Sequence, residues 1–136
     1  MPTRRHALRL AAAALLVPQL ARAGEGIDRP RAPLRLLMVD RRDCPASAAW
    51  RREIAPGYAG SAEGRAAPLL RVEMDGPWPD GLALARRPVV SPTFVLLAGG
   101  LELARIEGYP GADAFHPQLA AMLGRARQAD AGKGRK

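Results

Sequence analysis

The chain alternates between apolar runs and turn-forming clusters, and that pattern predicts its elements. Pro33 to Val39 (PLRLLMV) is a short apolar run between Pro33 and a block of charges, which predicts a buried strand. Pro45 to Ile54 carries Ala46, Ala48, Ala49, Trp50, Arg51, Arg52 and Glu53 and predicts a helix, with Pro45 at the first helical position, where no amide donor is needed. Pro56-Gly57 is the expected stop. Tyr58 to Ala67 predicts a loop or a ragged helical extension. Pro68 to Asp75 (PLLRVEMD) alternates apolar and polar residues and predicts a second strand. A turn-rich loop follows, Gly76 to Gly81 (GPWPDG), and then Leu82 to Val90, which contains an Ala-rich turn before Arg86-Arg87-Pro88. Thr93 to Ala98 (TFVLLA), Gly99-Gly100 and Leu101 to Glu107 (LELARIE) together predict a β-hairpin. Ala114 to Arg127 carries Phe115, Leu119, Met122 and Leu123 near helical spacing, with Asp113 in the cap region.

The order β, α, β, β-hairpin, α belongs to the α/β class. A helix between the first two strands implies a parallel crossover, and the hairpin adds an antiparallel pair. The expected architecture is a mixed four-stranded sheet with helices on both faces.

The segment before the first strand changes the picture of where the protein works. Arg4, Arg5 and Arg9 precede the apolar stretch Leu10 to Val17, and Ala21-Arg22-Ala23 offers a small-residue cleavage site. Residues 1–23 therefore read as a cleavable export signal, and Thr3 to Leu8 resembles a twin-arginine signal. The apolar stretch is too short for a membrane anchor, which needs about 20 residues. Residues 24–32 read as a linker, 33–127 as one domain, and 128–136 as a disordered basic tail.

The formal charge of +8 does not mark a nucleic-acid binder. Between Gly24 and Gly124 there are 12 basic and 12 acidic residues, so the excess belongs to the signal and the tail. Metal-ligand clusters, phosphate-binding glycine loops and Ser/His/Asp sets are missing from the sequence, and no cofactor is implied. His116 is expected at the surface of the last helix, and Trp50 and Trp78 in packing or loop-cover roles.

Candidate chemistry centres on Cys44, the only cysteine. An exported chain with one thiol cannot close an internal disulfide, so Cys44 is either buried and inert or reactive toward another molecule. Its position argues for reactivity. It falls at the C-terminal end of the first strand and the N-terminus of the first helix, where amide donors and the helix dipole favour a thiolate. Arg41 and Arg42 add to this, Asp43 opposes it, and Ser47 can donate its hydroxyl to the sulfur.

These residues resemble the thioredoxin fold: a strand, Cys44-Pro45-x-x opening a helix, and Ser91-Pro92-Thr93 before a hairpin. The RRDCP, EGRAAPL, SPTFVLL and RIEGYPG segments more closely resemble the periplasmic SoxS-type thioredoxin-like proteins of sulfur-oxidation gene clusters. The resemblance covers roughly Leu34 to Leu123 and implies a minimal thioredoxin fold. It also implies a cis bond before Pro92 and a groove, lined by Pro45, Ser91, Pro92 and Gly108, that binds an extended peptide through the Ser91 backbone.

The motif departs from the family in one place. Ser47 replaces the resolving cysteine, and Met38 stands where thioredoxins carry a buried acid. A first attack on a disulfide stays possible, but internal resolution does not. The expected protein is a monomeric, periplasmic monothiol that forms mixed disulfides or sulfur adducts with a cysteine-bearing partner such as a sulfur carrier. Whether it is an enzyme, a thiol-disulfide oxidoreductase without its resolving cysteine, stays open beside two alternatives. One is a non-catalytic peptide-binding or regulatory module, and the other is an unrelated envelope role on a common fold.

Overall fold

The computed structural model describes residues 32–135. The export signal expected at 1–23 and most of the linker expected at 24–32 lie outside the described residues, as does Lys136.

Strand β1 spans Leu34–Asp40, β2 Leu69–Glu73, β3 Thr93–Ala98 and β4 Leu101–Glu107, and they form one sheet in the order β2-β1-β3-β4. β1 and β2 run parallel, with Leu37 opposite Leu70 and Val39 opposite Val72. β1 pairs antiparallel with β3, and β3 with β4. The β3–β4 turn is Gly99-Gly100, with φ of 56° and 85°, a left-handed pair that suits a tight hairpin.

Helix α1 spans Pro45–Glu53, α2 Ala55–Tyr58, α3 Ala62–Ala66 and α4 Ala112–Lys133. The stop expected at Pro56-Gly57 is instead the first turn of α2, because proline is tolerated there. Ser61 caps α3 by accepting the Gly64 amide at 2.9 Å. The residue capping α4 is Gly111, and Asp113 lies in its first turn, where an acid favours the dipole. Residues 128–133, expected as part of a disordered tail, continue α4, since Gln128, Ala129 and Ala131 are good helix formers.

The alternation of strand side chains sorts the core onto two faces. On one, Leu36, Met38, Phe94, Leu96 and Ile106 pack against Trp50, Ile54, Tyr58, Phe115, Leu119 and Met122. On the other, Leu37, Val39, Val72, Met74, Val95 and Leu97 form a second cluster covered by Trp78, Leu82 and Leu84. The expectation of helices on both faces is therefore corrected. All four helices of the described residues contribute to the first face, and the β2–β3 connection covers the second. Its Pro77, Pro79, Pro88, Gly76 and Gly81 make that segment unfit for a helix. Covered on both sides, β1 is fully buried from Leu36 to Asp40, and its end is a firm platform for the turn into α1.

Candidate thiol site

β1 ends at Asp40, and the chain turns through Arg41 and Arg42, closed by Cys44 N–H to Arg41 O at 3.2 Å. Cys44 is the N-cap of α1, in an extended conformation, and its carbonyl accepts the Ala48 amide at 3.0 Å. Pro45 then starts the helix, exposed beside the cysteine. Cys44 itself is half-buried.

The facing wall comes from the loop before β3. The Ser91–Pro92 peptide bond is cis. Gly108, at φ 83°, donates its amide to Pro92 O at 2.7 Å, and Thr93 Oγ1 donates to Val90 O at 2.7 Å. Cys44 Sγ donates to Ser91 O at 3.2 Å. The Arg41 amide donates to Ser91 Oγ at 2.9 Å, and Ser91 Oγ lies 3.3 Å from the Oγ of fully buried Ser47. Cys44, Ser47 and Ser91 are thus brought into one cluster, Pro92 adjoins it, Gly108 braces Pro92, and Pro45 flanks it.

Burial alone would raise the thiol's pKa, but the Ser91 and Ser47 hydroxyls and the Ser47 and Ala46 amides outweigh it and hold Cys44 below its ordinary value. The arrangement can therefore present a nucleophilic sulfur beside the cis-proline loop. With a single cysteine in the chain, it cannot close a disulfide on itself.

Two features escaped the sequence. The first is the Ser91 side chain, whose neighbours come from 50 and 44 residues away. The second is Asp40, a fully buried acid on the same strand face as Met38. Met38 is core, as its apolar chain suits, while Asp40 accepts Arg51 Nη1 at 2.7 Å and Arg71 Nε and Nη2 at 3.1 and 3.0 Å. An acid ending an apolar strand was the one available signal. His116, expected at the surface, has Nδ1 3.4 Å from Glu63 Oε2, which links α3 to α4 away from the thiol.

A mixed β2-β1-β3-β4 sheet, a cysteine opening α1 and a cis-proline loop facing it define a thioredoxin-like protein. Among solved structures, the chain is 53% identical to the periplasmic thioredoxin SoxS from Paracoccus pantotrophus in its reduced form. That match covers 68% of this chain and 98% of the other, with a TM-score of 0.66. The chain belongs to the SoxS-type thioredoxin-like family. A further match, Fasciola hepatica thioredoxin, is 15% identical over 68% of this chain and 83% of that one, at a TM-score of 0.44. No protein-family model and no curated protein matches.

Proposed function

We propose that this chain is a periplasmic monothiol that acts through Cys44 on a cysteine-bearing protein partner, within sulfur oxidation. The observation that carries the reading is the placement of its sole sulfur. Cys44 is half-buried at a helix N-terminus, tied to Ser91 of the cis-proline loop and favoured as a thiolate by the surrounding hydroxyls and amides. The SoxS relative, named as a periplasmic thioredoxin, supports both compartment and pathway. Among the described residues, no helix is long and apolar enough to cross a membrane.

The Cys44 thiolate attacks one sulfur of a partner disulfide. A new S–S bond forms to Cys44, the old one breaks, and the partner's other sulfur leaves as a thiolate. Ser47 assists by hydrogen bonding to the attacking thiolate. Because Ser47 carries no sulfur, the adduct waits for a second small thiol. That thiolate attacks the mixed disulfide, takes the partner's sulfur into a new disulfide and releases Cys44 as a thiolate. With a persulfide donor, Cys44 instead takes the terminal sulfur, and the donor leaves as a thiol. The partner's extended segment lies along Pro45, Ser91, Pro92 and Gly108 and pairs with the Ser91 backbone.

The test is to express the protein with its export segment and isolate it without reductant. A discrete species on a non-reducing gel, lost with reductant and absent in Cys44→Ala, is the expected result. If no species forms and the purified thiol alkylates slowly, the proposal fails. Equal partner capture by Cys44→Ala would instead mark a peptide-binding module.

A further inference from the structure

Ser91 bears on the sulfur in two ways, directly through its carbonyl and through Ser47 by its hydroxyl, with opposite chemistry. Its carbonyl oxygen lies 3.2 Å from Cys44 Sγ. That contact suits only the protonated sulfur, because a thiolate has no hydrogen to donate and its charge repels the carbonyl lone pairs. The Ser91 hydroxyl does the reverse. The Arg41 amide donates to Ser91 Oγ at 2.9 Å and fills one of its acceptor positions. The hydroxyl hydrogen of Ser91 is then free for Ser47 Oγ, 3.3 Å away, and the Ser47 hydrogen for the sulfur. Ser47 is fully buried, so its hydroxyl depends on these partners rather than on solvent.

We infer that Ser91 is a positioning residue with two settings: its carbonyl holds the Cys44 thiol, and its hydroxyl, aimed by the Arg41 amide, supports Ser47 in holding the thiolate. The inference deepens the proposed function and rests on Cys44 being the nucleophile. On ionisation the proton passes to water, and the sulfur swings from the carbonyl to the hydroxyl pair. The Ser91 carbonyl is then vacant to accept an N–H of the partner's extended segment. Partner docking and thiolate formation therefore favour one another, as linkage requires.

The charged groups nearby do not supply this switch. Arg41, Arg42 and Asp43 from the β1–α1 turn share a cleft with Asp40, Glu73 and Asp75. On α1, Arg51 is committed to Asp40. On the β2–β3 connection, Arg86 pairs with Glu107, and Arg87 lies over the Trp78 ring. Among the described residues none of these side chains bonds Sγ or either hydroxyl, so removing the Ser91 hydroxyl leaves their field in place.

The experiment uses the full protein with carbonyl-¹³C serine and ¹⁵N proline. Ser91 is the only serine followed by proline, so the Ser–Pro pair gives a single carbonyl signal. That signal and the ultraviolet absorbance of the thiolate are followed against pH. In the unmodified protein the Ser91 carbonyl shifts with the same midpoint as thiolate formation, and Cys44→Ala abolishes the shift. Ser91→Ala raises the midpoint and slows alkylation near pH 7 about three- to tenfold, because the Ser47 hydroxyl that holds the charged sulfur loses its supporting hydrogen bond. Ser91→Thr, which keeps the hydroxyl, restores most of the rate. A carbonyl signal that ignores the thiolate titration, or a Ser91→Ala midpoint equal to the unmodified one, overturns the inference while the nucleophile stands. A midpoint at or above about 8.5 in the unmodified protein overturns the nucleophile reading itself, and this inference with it.

Discussion

Replacing Asp40 with asparagine should destabilise the protein by about 2–3 kcal/mol. The Asp40 carboxylate is fully buried at the end of β1 and takes three N–H bonds, one from Arg51 on α1 and two from Arg71 on β2. Asparagine keeps the shape but turns one oxygen into an NH2 group facing a guanidinium. Breaking a buried ion pair from one side costs about 3–5 kcal/mol. Here the Arg51 and Arg71 side chains are 30% and 40% exposed, so water recovers part of that loss. The assay is urea unfolding followed by circular dichroism. With a slope of about 1–2 kcal/mol/M for a domain of this size, the midpoint should fall by about 1–3 M at unchanged slope. A cycle with Arg51→Leu should show coupling of at least about 1 kcal/mol. A loss below about 1 kcal/mol, or strict additivity in the cycle, would refute the view that this carboxylate ties α1 to the sheet.

Three further outcomes stem from the packing and the charges. Gly64→Ala should cost more than about 2 kcal/mol, because its Cβ would lie 1.7 Å from Tyr58 O, a backbone atom; thermal unfolding reads the loss. Phe115→Ala should cost about 3–5 kcal/mol, because the buried ring packs on Phe94 and Trp50 at centroid distances of 4.8 and 5.9 Å; urea unfolding checks it. Glu102 is held below the usual carboxylate range by its bond from Arg105, against the effect of burial, with help from the Ala85 amide and Arg86. Its folded pKa is the lower one, so it stabilises the fold at neutral pH, and that contribution fades as pH falls through the carboxylate range. The unfolding midpoints of the native protein and Glu102→Gln should therefore differ most near neutrality and converge in acid.

The strands were the most legible part of the fold. β3 and β4 have the expected bounds, because apolar runs between Ser91-Pro92, Gly99-Gly100 and Gly108 leave little freedom in where pairing starts and stops. The parallel pairing of β1 with β2 was also readable, since a helical segment separates them. The cover of the second face was not. Its apolar anchors, Trp78, Leu82 and Leu84, are scattered among prolines and glycines without a period, so local pattern carries no signal for where they pack. In the site, the motif at Cys44, Pro45 and Ser47 is local and could be read, and Pro92 could be singled out by resemblance. The Arg41–Ser91–Ser47 hydroxyl chain and the Asp40 pairs could not. Each joins residues from separate elements, and only the three-dimensional crossing of β1, α1 and the β3 loop brings them together.

The central claim is that Cys44 is a working nucleophile whose adduct another molecule must resolve. The most direct measurement is intact-mass analysis of the purified protein mixed with a peptide whose cysteine is capped as a disulfide by a small thiol. The account predicts one mixed disulfide per chain, formed at Cys44, persisting until a small thiol is added and then lost. No adduct under these conditions, or an adduct that disappears without added thiol, would contradict it.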